Sequence, residues 1–240
     1  MNYVQKFGQN HLIDKILITK IIDYANITSN ENICEMGSGK GEITFDLCKR
    51  GKFVKAFEID NRLYRQLLKK SIVYKNLEII NEDILKYNKP LDFDVFVSNI
   101  PYSRSRDIFS WLATKKFNRA IVLVQKEFAE KILSKYSGKN YRAISAISQY
   151  CFDIQQLISI DKNSFNPKPS VESKLIKLNS KNIPISRELI SIIHYIFSFR
   201  NKKVRKISKE KIDLNFDNIK IKDLEPKKII QLAKDLIKSG

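Results

Sequence analysis

The chain has 240 residues, 43% of them hydrophobic, enough for one large domain or for a medium domain with a small appendage. No apolar run approaches a membrane-spanning helix, and Met1–Lys6 lacks the apolar stretch of a signal peptide, so a cytoplasmic protein with no membrane partner is expected. The net charge of +18, with +8 of it in the last 60 residues, favours a polyanionic partner through counterion release, against the plainer reading of a generally lysine-rich proteome.

In chain order, apolar runs alternate with amphipathic segments, the βα pattern of a parallel sheet. Asp14–Tyr24 reads as an opening helix, with Ile16, Leu17, Ile21 and Ile22 on its buried side. Asn32–Met36 reads as the first strand, followed by a glycine-rich turn and a helix over Ile43–Lys49. Phe53–Glu58 is the second strand, with a helix over Arg62–Lys70 behind it, and Leu77–Ile80 is the third. Phe93–Ser98 and Ala120–Val124 follow as strands, then helices over Glu127–Ser134 and Ala143–Cys151. Ile154–Ile160 and Val171–Leu178, joined by a short Pro-rich loop, should pair antiparallel. Turn residues cluster at Asn179–Pro184 and divide the chain into residues 1–180 and a smaller helical domain, residues 181–240, with helices over Arg187–Phe199 and Pro226–Lys238. Cys34, Cys48 and Cys151 show neither metal-ligand spacing nor a disulfide framework, so reduced core cysteines and no metal are expected.

The turn after the first strand reads Glu35-Met36-Gly37-Ser38-Gly39-Lys40-Gly41. Glycines there let the backbone approach a ligand closely. Lys40-Gly41-Glu42 does not supply a P-loop, and the third glycine comes one residue early for a dinucleotide fingerprint. An acidic residue beside the glycines repels phosphate but suits the cationic methionine end of S-adenosylmethionine. Glu58, at the end of the second strand, is placed to accept ribose hydroxyls, with Asp60 as the alternative. Asp83 is placed to accept an adenine amino group, or to cap a helix or turn.

Asn99-Ile100-Pro101-Tyr102 ends the fourth strand. The Asn99 side-chain oxygen and the Ile100 main-chain carbonyl are two acceptors for an exocyclic amine. Pro101 stiffens the turn, and Tyr102 offers a flat face for a base. An ordinary proline turn would read the same in isolation. Together with the glycines, Glu58 and Asp83, all in order at strand ends, the set points to a methyltransferase acting on a nucleobase amine. The run Arg200-Asn201-Lys202-Lys203-Val204-Arg205-Lys206-Ile207-Ser208-Lys209 reads as a nucleic-acid patch or as a solvated helix face.

From Gln5 to about Leu178, and more weakly to Lys206, the chain resembles the ribosomal RNA adenine dimethyltransferases, which comprise small-subunit enzymes and erythromycin-resistance enzymes. The resemblance is carried by Phe7-Gly8-Gln9-Asn10-His11-Leu12-Ile13-Asp14, Glu35–Gly41, Phe57-Glu58-Ile59-Asp60, Asn99–Tyr102 and Phe165-Asn166-Pro167-Lys168-Pro169-Ser170-Val171-Glu172-Ser173. It implies a Rossmann-like class I methyltransferase domain, with a mostly parallel seven-stranded sheet, and a small helical C-terminal domain. It implies transfer of two methyl groups from S-adenosylmethionine to N6 of adenine in ribosomal RNA. By matching, Asn10, Leu12, Gly37, Gly39, Glu58, Asp83 and Asn99 would line the cofactor. Tyr102 would stack on the target adenine with Phe165 as a second aromatic wall.

Phe197-Ser198-Phe199-Arg200-Asn201-Lys202-Lys203-Val204-Arg205 looks like the small-subunit branch. A monomer acting on two adjacent adenines near the 3′ end of small-subunit RNA, within an assembly intermediate, is therefore expected, with Arg200, Lys202, Lys203, Arg205 and Lys206 on the RNA. The alternatives are a resistance-type enzyme of large-subunit RNA, a non-catalytic assembly factor on the same fold, and a DNA adenine methyltransferase. Ser103-Arg104-Ser105-Arg106 departs from the family by adding two cations, which contact RNA phosphates or sit on a solvated helix start. His11 stands where the family more often has an apolar aromatic ring, and His194 reads as a packing residue.

Overall fold

The structure, a computed structural model, describes residues 10–208 and 216–239. Phe7–Gln9 of the opening motif and Lys209 of the basic run lie outside the described residues. Two short strands, β1 (His11–Leu12) and β8 (Phe165–Asn166), pair antiparallel. The main sheet contains β2 (Asn32–Met36), β3 (Phe53–Phe57), β4 (Leu77–Ile80), β5 (Val95–Asn99), β6 (Arg119–Gln125), β7 (Phe152–Ile160) and β9 (Ser173–Ser180). Their order is β4-β3-β2-β5-β6-β9-β7; the first five are mutually parallel, and β9 runs antiparallel to both its neighbours. The α/β class, the seven-stranded sheet and the antiparallel final pair all match the sequence reading.

Alternation along the central strands builds two cores. Val95 and Val97 of β5 face one cluster while Phe96 faces the other, and in β6 Ile121 and Leu123 oppose Ala120, Val122 and Val124. Strands buried on both faces read as continuous apolar runs, which is why these were visible in the sequence. One face is covered by α1 (Lys15–Ala25) and α2 (Thr44–Arg50), through Leu17, Ile21, Ile22 and Leu47. The Asp14 carboxylate caps α1 by accepting from the Leu17 N–H at 3.1 Å. The other face carries α4 (Ser105–Leu112), α5 (Lys126–Leu133), α6 (Ala143–Cys151), α7 (Arg187–Ser198) and α9 (Pro226–Ser239), while α3 (Asn61–Ser71) follows β3.

Helix α4 begins within the Ser103–Arg106 run, at the helix start that is one of the two sequence readings of it. Its Ile108, Phe109, Trp111 and Leu112 are buried, and it supplies part of the crossover that the parallel strands β5 and β6 require. The C-terminal helices α7 and α9 pack against α6, and their Ile193, Ile196, Ile229 and Leu232 join the same hydrophobic cluster as Phe96. The basic run includes a short helix, α8 (Arg205–Ser208), anchored by buried Val204 and Ile207. All three cysteines are buried and unpaired.

Candidate active site

A cavity of about 460 Å³ opens at the carboxyl ends of β2, β3, β4 and β5. That is the crevice where the order of a doubly wound sheet reverses, here between β2 and β5, and its volume suits a nucleoside-sized ligand. Gly37, Gly39, Glu58, Asp83, Asn99, Ile100, Pro101 and Tyr102 line it, as does Asn10. Strand ends separated by up to 62 residues of sequence (Ser98 Oγ donates to the Met36 carbonyl at 2.9 Å) are thereby brought together.

Gly39 has φ of +59°, and a Cβ there would lie 3.2 Å from His11 Nδ1 and from Glu42 Oε2. The missing side chain leaves a backbone cradle beside the cavity. Gly41 serves a different purpose: a Cβ there would come within 2.3 Å of the Phe45 ring and 2.9 Å of Leu67. Its role is close packing of the turn on α2 and α3.

Glu58 is 1% exposed, and its two oxygens accept from the Gly39 and Asp60 N–H groups, each at 2.8 Å. Burial raises its pKa, and those two donors oppose the rise. Asp60 does something else: its carboxylate caps α3, accepting from Arg62 N at 2.7 Å and Leu63 N at 3.3 Å. Of the two, Glu58 is therefore the acid that lines the cavity.

Asn99 is oriented by its neighbour across the site. Its Nδ2 donates to the Asn10 carbonyl at 2.8 Å, which leaves Oδ1 as the free acceptor of the amide. Tyr102 donates to or accepts from Ser173 Oγ at 2.9 Å, and burial keeps its phenol protonated by raising its pKa. Ser173, fully buried, closes the F-x-P-x-P-x-V-x-S stretch. The sequence contained both halves of this contact but not their meeting.

Two residues expected at the ligand from the resemblance lie elsewhere. In the β1–β8 pair, Leu12 sits opposite Phe165 and His11 opposite Asn166. Opposed residues of an antiparallel pair share a face, so Leu12 and Phe165, each 3% exposed, both turn into the core against α1. Neither side chain lines the cavity; His11 does, on the opposite face. Burial lowers the His11 pKa, so the ring is neutral near pH 7.

Arg104 and Arg106 also part company. Arg104 lines the cavity and donates from Nη2 to Asp83 Oδ2 at 2.8 Å, whereas exposed Arg106 lies 3.6 Å from Asp107. Lys202, Lys203, Arg205 and Lys206 are exposed. Arg200 is half-buried, with Nη2 donating to the Lys139 carbonyl at 3.3 Å. Among the described residues no helix is long and apolar enough to cross a membrane.

A family profile described as ribosomal RNA adenine dimethylase matches residues 2–238. The chain belongs to the ribosomal RNA adenine dimethylase family. It is accordingly an S-adenosylmethionine-dependent adenine methyltransferase of ribosomal RNA. Ribosomal RNA small subunit methyltransferase A of Mycoplasmopsis pulmonis is 36% identical over 84% of this chain and 82% of its own length. The protein of the same name from Mycoplasmopsis synoviae is 34% identical over 97% of this chain and 98% of its own. Among solved structures, a dimethyladenosine transferase from Plasmodium falciparum superposes with a TM-score of 0.81 at 25% identity, covering 95% of this chain and 98% of that one. The 23S rRNA methyltransferase ErmE, at TM-score 0.67 and 21% identity over 95% of this chain and 100% of its own, shares the fold.

The residues present in the dimethylase fit that cofactor. The Gly39 cradle admits close backbone approach, Glu58 keeps lone pairs that would suit ribose hydroxyls, and Asp83 is a further carboxylate acceptor in the lining.

Proposed function

We propose that the enzyme dimethylates N6 of adenines in small-subunit ribosomal RNA during assembly of the subunit, with Asn99, Ile100, Pro101 and Tyr102 as the catalytic turn. The observation that carries the catalytic reading is the Asn99–Asn10 hydrogen bond, which commits the amide nitrogen and leaves the side-chain oxygen to the cavity. The small-subunit reading is supported by the names of the two relatives above and by the basic run Arg200–Lys206, whose exposed side chains would lie on RNA phosphates.

The amine of adenine is a weak nucleophile because its lone pair is delocalised into the ring. Asn99 Oδ1 and the Ile100 carbonyl would each accept one of its N–H bonds, localising the lone pair and aiming it toward the cofactor end of the cavity. S-adenosylmethionine supplies the electrophilic methyl group. Catalysis by this chain is thus alignment and electrostatic preorganisation, without a strong base. The adenine must first leave its stack, at a cost of a few kcal/mol, and stacking on Tyr102 would offset about 1–3 kcal/mol of it.

Tyr102 separates stacking from hydrogen bonding. Tyr102→Phe keeps the ring and is expected to retain activity within about fivefold, while the lone Ser173 hydroxyl costs about 1 kcal/mol of stability. Tyr102→Ala is expected to lower kcat/KM by about 10- to 100-fold, the kinetic equivalent of one stacked base. Equal losses in the two variants, measured by methyl incorporation, would show that the hydroxyl and not the ring matters.

The deciding experiment is mass spectrometry of RNA after incubation with S-adenosylmethionine and one of two substrates. Dimethyladenosine in unmethylated small subunits, and none in protein-free large-subunit RNA, is expected. Product only in the free large-subunit RNA would assign a resistance-type activity instead.

A further inference from the structure

Arg104 is a cation that the family resemblance does not account for, and its surroundings differ from those of the other basic residues on the chain. It ends the short 3-10 turn Tyr102–Arg104, closed by the Arg104 N–H donating to the Pro101 carbonyl at 2.8 Å. Its guanidinium reaches across the cavity mouth to Asp83, 21 residues earlier, with Nη2 2.8 Å from Oδ2. Asp83 also bonds within its own turn. Oδ1 accepts from Leu85 N at 3.0 Å, and its carbonyl accepts from Lys86 and Tyr87. The Asp83 side chain is 14% exposed and that of Arg104 is 40% exposed, so the pair sits at the rim with the carboxylate on the inner side.

We infer that Arg104 is a positioning residue for cofactor binding: it holds the Asp83 carboxylate in the orientation that accepts the cofactor's adenine amine, and so ties cofactor binding to the turn that carries Tyr102. The inference rests on the reading of Asp83 as that acceptor. Each carboxylate oxygen is engaged once and keeps lone-pair capacity for a further donor. A guanidinium restricts the carboxylate's rotation, so less ordering remains for the ligand to impose. Because Arg104 and Tyr102 belong to one turn of three residues, a ligand that favours the paired Asp83 also favours the Tyr102 position. By linkage, this conformation of the turn favours the ligand to the same degree. The alternative role, a contact to an RNA phosphate, would use guanidinium N–H groups not engaged by Asp83, and the test separates the two roles.

The test measures binding of S-adenosylhomocysteine by calorimetry, without RNA, to the full chain and to Arg104→Ala, Arg104→Lys, Asp83→Asn and the Arg104→Ala/Asp83→Asn double variant. Arg104→Ala is expected to weaken binding about five- to tenfold, and Lys to restore part of it as a point charge lacking the planar fork. In the Asp83→Asn background, Arg104→Ala is expected to have no further effect, because its influence passes through that carboxylate. In turnover assays KM for S-adenosylmethionine rises and KM for RNA does not. A rim ion pair contributes little to folding, so the unliganded melting temperature of Arg104→Ala should stay within about 3 °C of the parent.

The inference is overturned if Arg104→Ala leaves the cofactor-product affinity within twofold and raises KM for RNA, which would make Arg104 a phosphate contact. It is equally overturned if the Arg104→Ala effect is the same size with and without Asp83. Failure of the unaltered chain to bind S-adenosylhomocysteine would instead overturn the proposed function, before any variant is compared.

Discussion

Asn99→Ala is expected to lower kcat by at least about a thousandfold while RNA affinity stays within about threefold of the parent. The substitution removes one of two acceptors proposed to hold the amine, a loss that by itself is worth about 10²- to 10³-fold for a preorganised group. It also removes the 2.8 Å bond from Nδ2 to the Asn10 carbonyl, which ties the N-terminal segment to the end of β5. The amine would then keep only the Ile100 carbonyl and could rotate away from the cofactor end of the cavity. Single-turnover methylation with saturating RNA, paired with a filter-binding measurement of RNA affinity, separates the two effects. Activity within threefold of the parent would sink the alignment mechanism.

Glu35→Gln is expected to flatten the pH dependence of stability between about pH 5 and 8 and to raise the melting temperature at pH 8 relative to the parent. Glu35 lies in β2, 2% exposed, and its Oε2 makes no hydrogen bond. Burial pushes its pKa up to about 7; the hydroxyls of Thr44 and Ser38 act against the shift, and the carboxylates of Glu42 and Glu58 add to it.

The folded protein therefore holds this proton more tightly than the unfolded chain, whose carboxyl titrates at 4.5. Stability from this group is complete below the unfolded value and is lost as pH rises through about 7. At 1.36 kcal/mol for each unit, the loss amounts to about 3 kcal/mol. Glutamine carries no titrating proton, so the difference between parent and variant isolates this contribution from the opposing titrations of half-buried His11 and His194. Thermal melts from pH 5 to pH 8 read it directly, and parallel pH profiles for the two proteins would exclude Glu35 as the source. The acid whose position before the glycines favoured a cationic cofactor in the sequence thus lies beneath the turn, outside the cavity wall.

Much of the site was legible because its residues follow strands that the sequence announces. Gly37, Glu58, Asp83 and Asn99 each sit at or just after the end of an apolar run, and parallel strands deliver such ends to one edge of the sheet. The β1–β8 pair could not be read in the same way. Strands of two residues have no period, and six of the seven strands of the main sheet lie between the partners in sequence. Helix α4 had a signal in Ile108, Phe109, Trp111 and Leu112, at spacings of three and four, directly after the Ser103–Arg106 run.

The sequence by itself determined the α/β class, the antiparallel pairing of the last two strands, the glycine turn and the N-I-P-Y turn. Those properties follow from local backbone sterics and from burial of alternating or continuous apolar residues. Only the tertiary structure decided which way side chains face where the chain is irregular. It sent Leu12 and Phe165 to the core and His11 to the cavity, seated Tyr102 on Ser173, and turned Arg104 onto Asp83. Each of these outcomes depends on a partner distant in sequence, and a side chain's direction there is set by what it packs or pairs with once the sheet has formed.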